Sequence, residues 1–136
     1  MDLQSLLSSR VDRGAAPLAV GDVFVLVAFL TAGTLSHTTT QFLIENPLYL
    51  AQVLAPFLIG WAIAAPLVGA YSAGAAETAK SSVPLVVRSW IPAAVIGFVL
   101  RTFVFTGGVA PAFVAITLVG GMVVLGAWRV LYFKLR

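Results

Sequence analysis

Hydrophobic and polar positions alternate along this chain in whole segments rather than in single residues. Apolar runs cover residues 17–35, 47–71, 83–105 and about 109–130, separated by polar stretches at 36–46, 72–82 and 106–108. Each run is near or above the ~20 residues that cross a ~30 Å hydrocarbon core at about 1.5 Å per residue. The pattern predicts an all-α polytopic membrane protein, a four-transmembrane-helix antiparallel bundle in the cell membrane. Residues 1–16 form a tail in which Leu3, Leu6 and Leu7 share one side at helical spacing and Arg10 interrupts it, so the tail reads as a short interfacial helix or as a frayed end.

The third run carries two arginines, and arginine at a helix centre costs roughly 2.5–3.5 kcal/mol to insert. On a helix at about 100° per residue, Trp90, Ala94, Gly97 and Arg101 form one stripe within an arc of about 60°, expected to face the bundle. Arg88 lies about 160° from Trp90 and needs a different partner. Pro92 removes the N–H that would bond the Arg88 carbonyl. The second run is too long to cross upright, and Pro56 and Pro66 divide it, so it is expected to tilt or kink. Small residues (Gly60, Ala64, Ala65, Ala93, Gly97, Gly120, Gly121) offer surfaces for close helix packing, within the chain or between copies.

Composition sharpens this reading. The chain is 60% hydrophobic and 10% charged, against about 25% charged in a soluble domain. The sequence pI near 9.8 invites a nucleic-acid partner, but the basic residues are scattered among apolar spans, so none is expected. They read instead as topology signals. Arg10 and Arg13 lie in the tail, Lys80 in the second loop, and Arg129, Lys134 and Arg136 at the end, while the other two loops carry no Lys or Arg. The positive-inside rule then places both termini in the cytoplasm, with Arg101 as the exception.

Two polar groupings follow from depth. Asp22 and Arg88 each stand about five residues into a span from the inner side, which predicts an ion pair. With Tyr71 and Arg129 they make a candidate inner polar cluster, either a proton or cation site or a pair that orients helices. At the outer side, Arg101 reaches the level of His37, with Ser36 and Gln41 nearby and Trp61 or Phe57 as a wall. That set reads as a pocket for a small anion or polar solute, or as a clamp in which Arg101 bonds helix-end carbonyls. One histidine and no cysteine supply no metal or haem ligand set, so no metal or cofactor is expected. Motifs of the HExxH, GxSxG and Walker types are missing, which argues against an enzyme.

Asp22 followed by Phe29, Gly33 and Ser36-His37, then Pro56-Phe57-x-x-Gly60-Trp61, Trp90, Gly97-x-x-Leu100-Arg101, Pro111, Phe113 and Gly126-x-Trp128-Arg129 resembles the domain of unknown function 3054 family, over nearly all the chain beyond residue 16. The resemblance implies a small prokaryotic integral membrane protein and carries no established activity. Two functional classes are therefore expected from the residues themselves. One is an oligomeric small-solute or ion transporter or channel, since four short-looped helices hold little interior in one copy. The other is a structural or accessory subunit for an unidentified membrane partner. The expected partners are the lipid bilayer and further copies of the chain.

Overall fold

The structure, a computed structural model, describes residues 11–105 and 110–135. Its helices are α1 (Ala16–Leu35), the short α2 (Thr40–Glu45), α3 (Pro47–Val68), α4 (Ala79–Phe103) and α5 (Pro111–Leu135), with 3-10 turns at Arg13–Ala15 and Gly74–Ala76. The four longer helices are each long and apolar enough to cross a membrane. They pack in a ring, α1 on α3, α3 on α4, α4 on α5 and α5 back on α1, with the largest interface between α3 and α4.

Local chemistry explains the boundaries. Pro17 and Pro47 sit in the first turns of α1 and α3, where a missing N–H costs nothing. Helix α3 stops at Val68 because Gly69 takes φ 105°, a left-handed conformation that glycine adopts without strain. The second span is therefore shorter than 47–71, and Tyr71 leaves the helix. Pro56 and Pro66 do not split it, nor do Pro84 and Pro92 split α4. In the stretch 36–46, expected as a loop, Thr39 accepts a hydrogen bond from Phe42 N and starts α2. Thr78 caps α4 in the same way through Ser81 N, so α4 begins at Ala79 rather than at residue 83. Helix α5 continues to Leu135, which puts Arg129 well inside it. The expected turn at 106–108 and the tail up to residue 10 lie outside the described residues.

The small residues are used within the chain. A Cβ on Gly60 would sit 2.3 Å from the Ala93 carbonyl oxygen, so α3 and α4 touch backbone to backbone there. Elsewhere glycine makes room for a ring: Gly97 for Phe57, Gly121 for Trp90, Gly120 for Phe29 and Gly21 for Trp128. The faces expected to associate between copies, at Gly97 and at Gly120 and Gly121, are thus filled by the chain's own aromatic side chains. Phe57, Trp61 and Trp90 form the centre of the core, with centroids 6.2–6.4 Å apart for the pairs with Trp90. Trp90 Nε1 donates to the Leu118 carbonyl at 3.0 Å and the Thr117 carbonyl at 3.2 Å.

Candidate functional site

Two polar groupings occupy opposite ends of the ring. At the first, Asp22 on α1 faces Arg129 on α5. Arg129 Nη2 donates to Oδ2 at 2.5 Å and Nε to Oδ1 at 3.2 Å, and both side chains are wholly buried. The remaining guanidinium edge donates through Nη1 to the Ala70 carbonyl at 3.0 Å and to Ser82 Oγ at 2.8 Å. One arginine thereby ties α1 and α5 to the end of α3 and the start of α4. Such a bidentate arrangement, with a hydrogen bond from each guanidinium nitrogen, is what allows a charged pair to persist in a low-dielectric interior.

Tyr71 completes this end. Its ring lies under Arg129, with the guanidinium carbon 5.7 Å from the centroid, and its hydroxyl accepts from Trp61 Nε1 at 2.6 Å. Burial first, and then the neighbouring Asp22 carboxylate, push the phenol above its ordinary range. Its backbone carbonyl accepts from Asp12 N at 2.7 Å, which fastens the chain before α1 to the loop after α3.

Arg88 does not join Asp22. It is exposed, and the one ion pair among the described residues is Asp22 with Arg129. Two physical reasons account for the difference. The early start of α4 makes Arg88 its tenth residue, deeper than a start at residue 83 implies. Trp90 occupies the buried stripe, so a residue about 160° around the helix points away from the bundle. Ser82, in the polar stretch 72–82 expected as a loop, supplies the polar group that α4 does contribute. The Thr78-x-x-Ser81 capping pattern was the signal that would have placed it on the helix.

At the other end, a cavity of about 410 Å³ lies among the last turns of α1 and α4 and the first turns of α3 and α5. Ser36, His37 and Arg101 line it together, as do Tyr49 and the aromatic wall of Phe29 and Phe113. The Arg101 guanidinium stacks on the Phe113 ring at 4.6 Å. Arg101 and His37 are the charged or titratable nitrogen groups of the lining, and no Asp or Glu is among its described residues. Ser36 Oγ donates to the Gly33 carbonyl at 2.6 Å.

Gln41 and Trp61 stand elsewhere. Gln41 donates to Glu45 Oε1 at 2.8 Å along α2, and Trp61 bonds Tyr71 at the opposite end, about 14 residues or ~21 Å along α3 from Pro47. Phe29, Tyr49 and Phe113 supply the wall in place of Trp61. Among the described residues no three His, Cys, Asp or Glu side chains gather as metal ligands would. The volume falls within the ~300–1,000 Å³ of small-molecule sites.

Comparison with known proteins adds a family. A family model described as "Protein of unknown function (DUF3054)" matches residues 19–132. No curated protein and no solved structure matches the chain.

Proposed function

The chain belongs to the DUF3054 family of proteins of unknown function, and from its own geometry we propose that it is a non-enzymatic multi-pass membrane protein that binds and moves a small anionic solute. The observation that carries this reading is the cavity on which Arg101, His37 and Ser36, drawn from α4 and the end of α1, converge. An arginine there offers a fixed positive charge and a planar set of N–H donors to a solute that enters the cavity.

The arrangement in the membrane follows the charges. The start of α1, the end of α3, the start of α4 and the end of α5 meet around Arg129, which fits an antiparallel bundle. Arg13, Lys80 and Lys134 belong to this end, and no Lys or Arg lies in the stretch containing α2. We therefore read both termini as cytoplasmic, the cavity as opening on the outer side, and the host as the cell membrane. Between cavity and cytoplasm the interior is packed with Phe57, Trp61 and Trp90. Movement of a solute thus requires a change in this packing or a second copy, and we read the working unit as a homo-oligomer.

The same packed interior favours a second reading, an accessory membrane subunit with no transport of its own. Reconstitution separates the two. Uptake of a panel of inorganic and short organic anions into proteoliposomes, lost in Arg101→Gln at equal protein content, is the expected result. A wild-type protein whose melting temperature no anion raises and which accumulates no anion in vesicles would overturn the transport reading.

A further inference from the structure

Two hydroxyls in the wall of the cavity have a fixed hydrogen-bonding sense. Ser36 Oγ lies 2.6 Å from the Gly33 carbonyl oxygen, and Thr34 Oγ1 lies 2.9 Å from that of Leu30. A carbonyl oxygen only accepts, so in both contacts the proton is the hydroxyl's own. Each hydroxyl has one proton and two lone pairs, and with the proton given to the helix what it has left to offer a solute is acceptance. Both residues line the cavity from the end of α1.

Across the ring, on α4, the sense is reversed. Arg101 has donors and no acceptor, and its guanidinium carbon stands 4.6 Å over the Phe113 ring. That ring packs in turn on Phe57 and Phe98, with centroids 6.1 and 5.8 Å away, so the arginine rests on an aromatic platform joined to the core. Two of the long helices end and two begin around this cavity. Their dipoles largely offset, and the side chains set the polarity of the space. Phe29, Leu30, Val53 and Ile116 complete the wall with ring and hydrocarbon.

We infer that the solute is a small hydroxy carboxylate with a hydrocarbon body, its carboxylate at Arg101 and its hydroxyl donating to Ser36 or Thr34. This rests on the anion-binding reading above and narrows its substrate class. Sulfate, nitrate and a plain carboxylate bring acceptors only, which suits Arg101 but sets lone pairs against the oxygens of Ser36 and Thr34. An acceptor covered by a solute that brings it no donor is left unsatisfied. A hydroxyl on the carboxylate supplies that proton, and the hydrocarbon body covers the apolar wall. Size sets the upper limit. At the roughly 30 Å³ that a water-sized group occupies in a liquid, 410 Å³ holds on the order of 14 non-hydrogen atoms, room for a hydroxy acid with one aromatic ring.

The test uses the full chain in phosphatidylcholine nanodiscs and titrates its melting temperature with acids of one skeleton. These are phenyllactate, phenylpropanoate, which lacks the hydroxyl, and phenylalanine, which has an ammonium in its place; inorganic phosphate is a further arm. Phenyllactate is expected to act at a concentration about tenfold below phenylpropanoate, the scale of one satisfied hydrogen bond. Arg101→Gln should weaken both acids alike. Ser36→Ala and Thr34→Val should instead narrow the preference, since each removes an acceptor. The bonds these two variants lose lie within the end of α1, which keeps the inference testable should Arg101→Gln not fold. Equal responses to phenyllactate and phenylpropanoate, both dependent on Arg101, would leave the anion site standing and overturn the hydroxy acid. Phenylalanine matching phenyllactate would put an ammonium in the hydroxyl's place, and phosphate matching it would remove the hydrocarbon body; either result overturns the inference. A preference unchanged in both Ser36→Ala and Thr34→Val would overturn the role given to these hydroxyls. A wild-type protein that responds to none of these solutes would remove the anion-binding reading, and the inference with it.

Discussion

Asp22 and Arg129 stand 107 residues apart in the chain and meet fork to fork, two nitrogens on two oxygens, with neither side chain reaching solvent. Because the same guanidinium also holds the Ala70 carbonyl and Ser82, removing either partner leaves a charge or several donors stranded in a buried site.

Asp22→Leu should therefore destabilise the protein by about 3–5 kcal/mol, the usual cost of breaking a buried pair from one side. Adding Arg129→Met should return most of that loss, since a well-packed apolar pair of similar volume is often neutral. Arg88→Gln should stay within about 0.5 kcal/mol, as surface changes usually do. Unfolding in mixed micelles measures all of these. A double variant no more stable than Asp22→Leu alone would show that the pair does not act as a unit.

Gly60 and Gly33 should respond in opposite directions to the same change. A Cβ at Gly60 meets the Ala93 carbonyl, which is backbone and cannot rotate aside, so Gly60→Ala should cost about 1–3 kcal/mol. Gly33→Ala enters open space and removes a helix-interior glycine, a gain of up to about 1 kcal/mol. Thermal melts of the two variants side by side decide it, and equal losses would contradict the close approach of α3 and α4.

Tyr71 predicts an alkaline limit to stability. Its phenol is pushed up by burial and by Asp22, so the folded chain keeps the proton to a higher pH than the unfolded one. A raised folded value gives stability that is complete below the unfolded value of about 10 and falls as pH rises beyond it. Tyr71→Phe should lower stability near neutrality by about 1–3 kcal/mol, because Trp61 Nε1 loses its acceptor. The variant should also flatten the alkaline fall. The check is the pH dependence of unfolding between about pH 8 and 11, and an identical alkaline slope in the variant would clear Tyr71 of any part in it.

The proposed topology is testable with two exposed positions. Thr40 lies on α2 and Lys80 in the first turn of α4, and both side chains are exposed. Thr40→Cys should react with an impermeant thiol reagent added to intact cells, and Lys80→Cys only after the membrane is opened. The reverse pattern would invert the bundle and turn the cavity toward the cytoplasm.

Number and rough extent of the spans, the proline starts of α1 and α3, and the inward stripe of Trp90, Ala94, Gly97 and Arg101 were determined by the sequence alone. These are local properties: the length of an apolar run, the geometry of one helix and the capping of its ends need no knowledge of neighbours. Depth counting along the spans also brought Ser36, His37 and Arg101 to one level, and the structure places all three around one cavity. Pairing was decided only in three dimensions. Asp22 had two arginines within reach of its level, and the choice of Arg129 over Arg88 depended on where α4 begins and which way it is rotated. The glycines show the same division, since a small residue announces a close approach but not whose atoms approach, and here Phe57, Trp90 and Phe29 of the same chain fill the space.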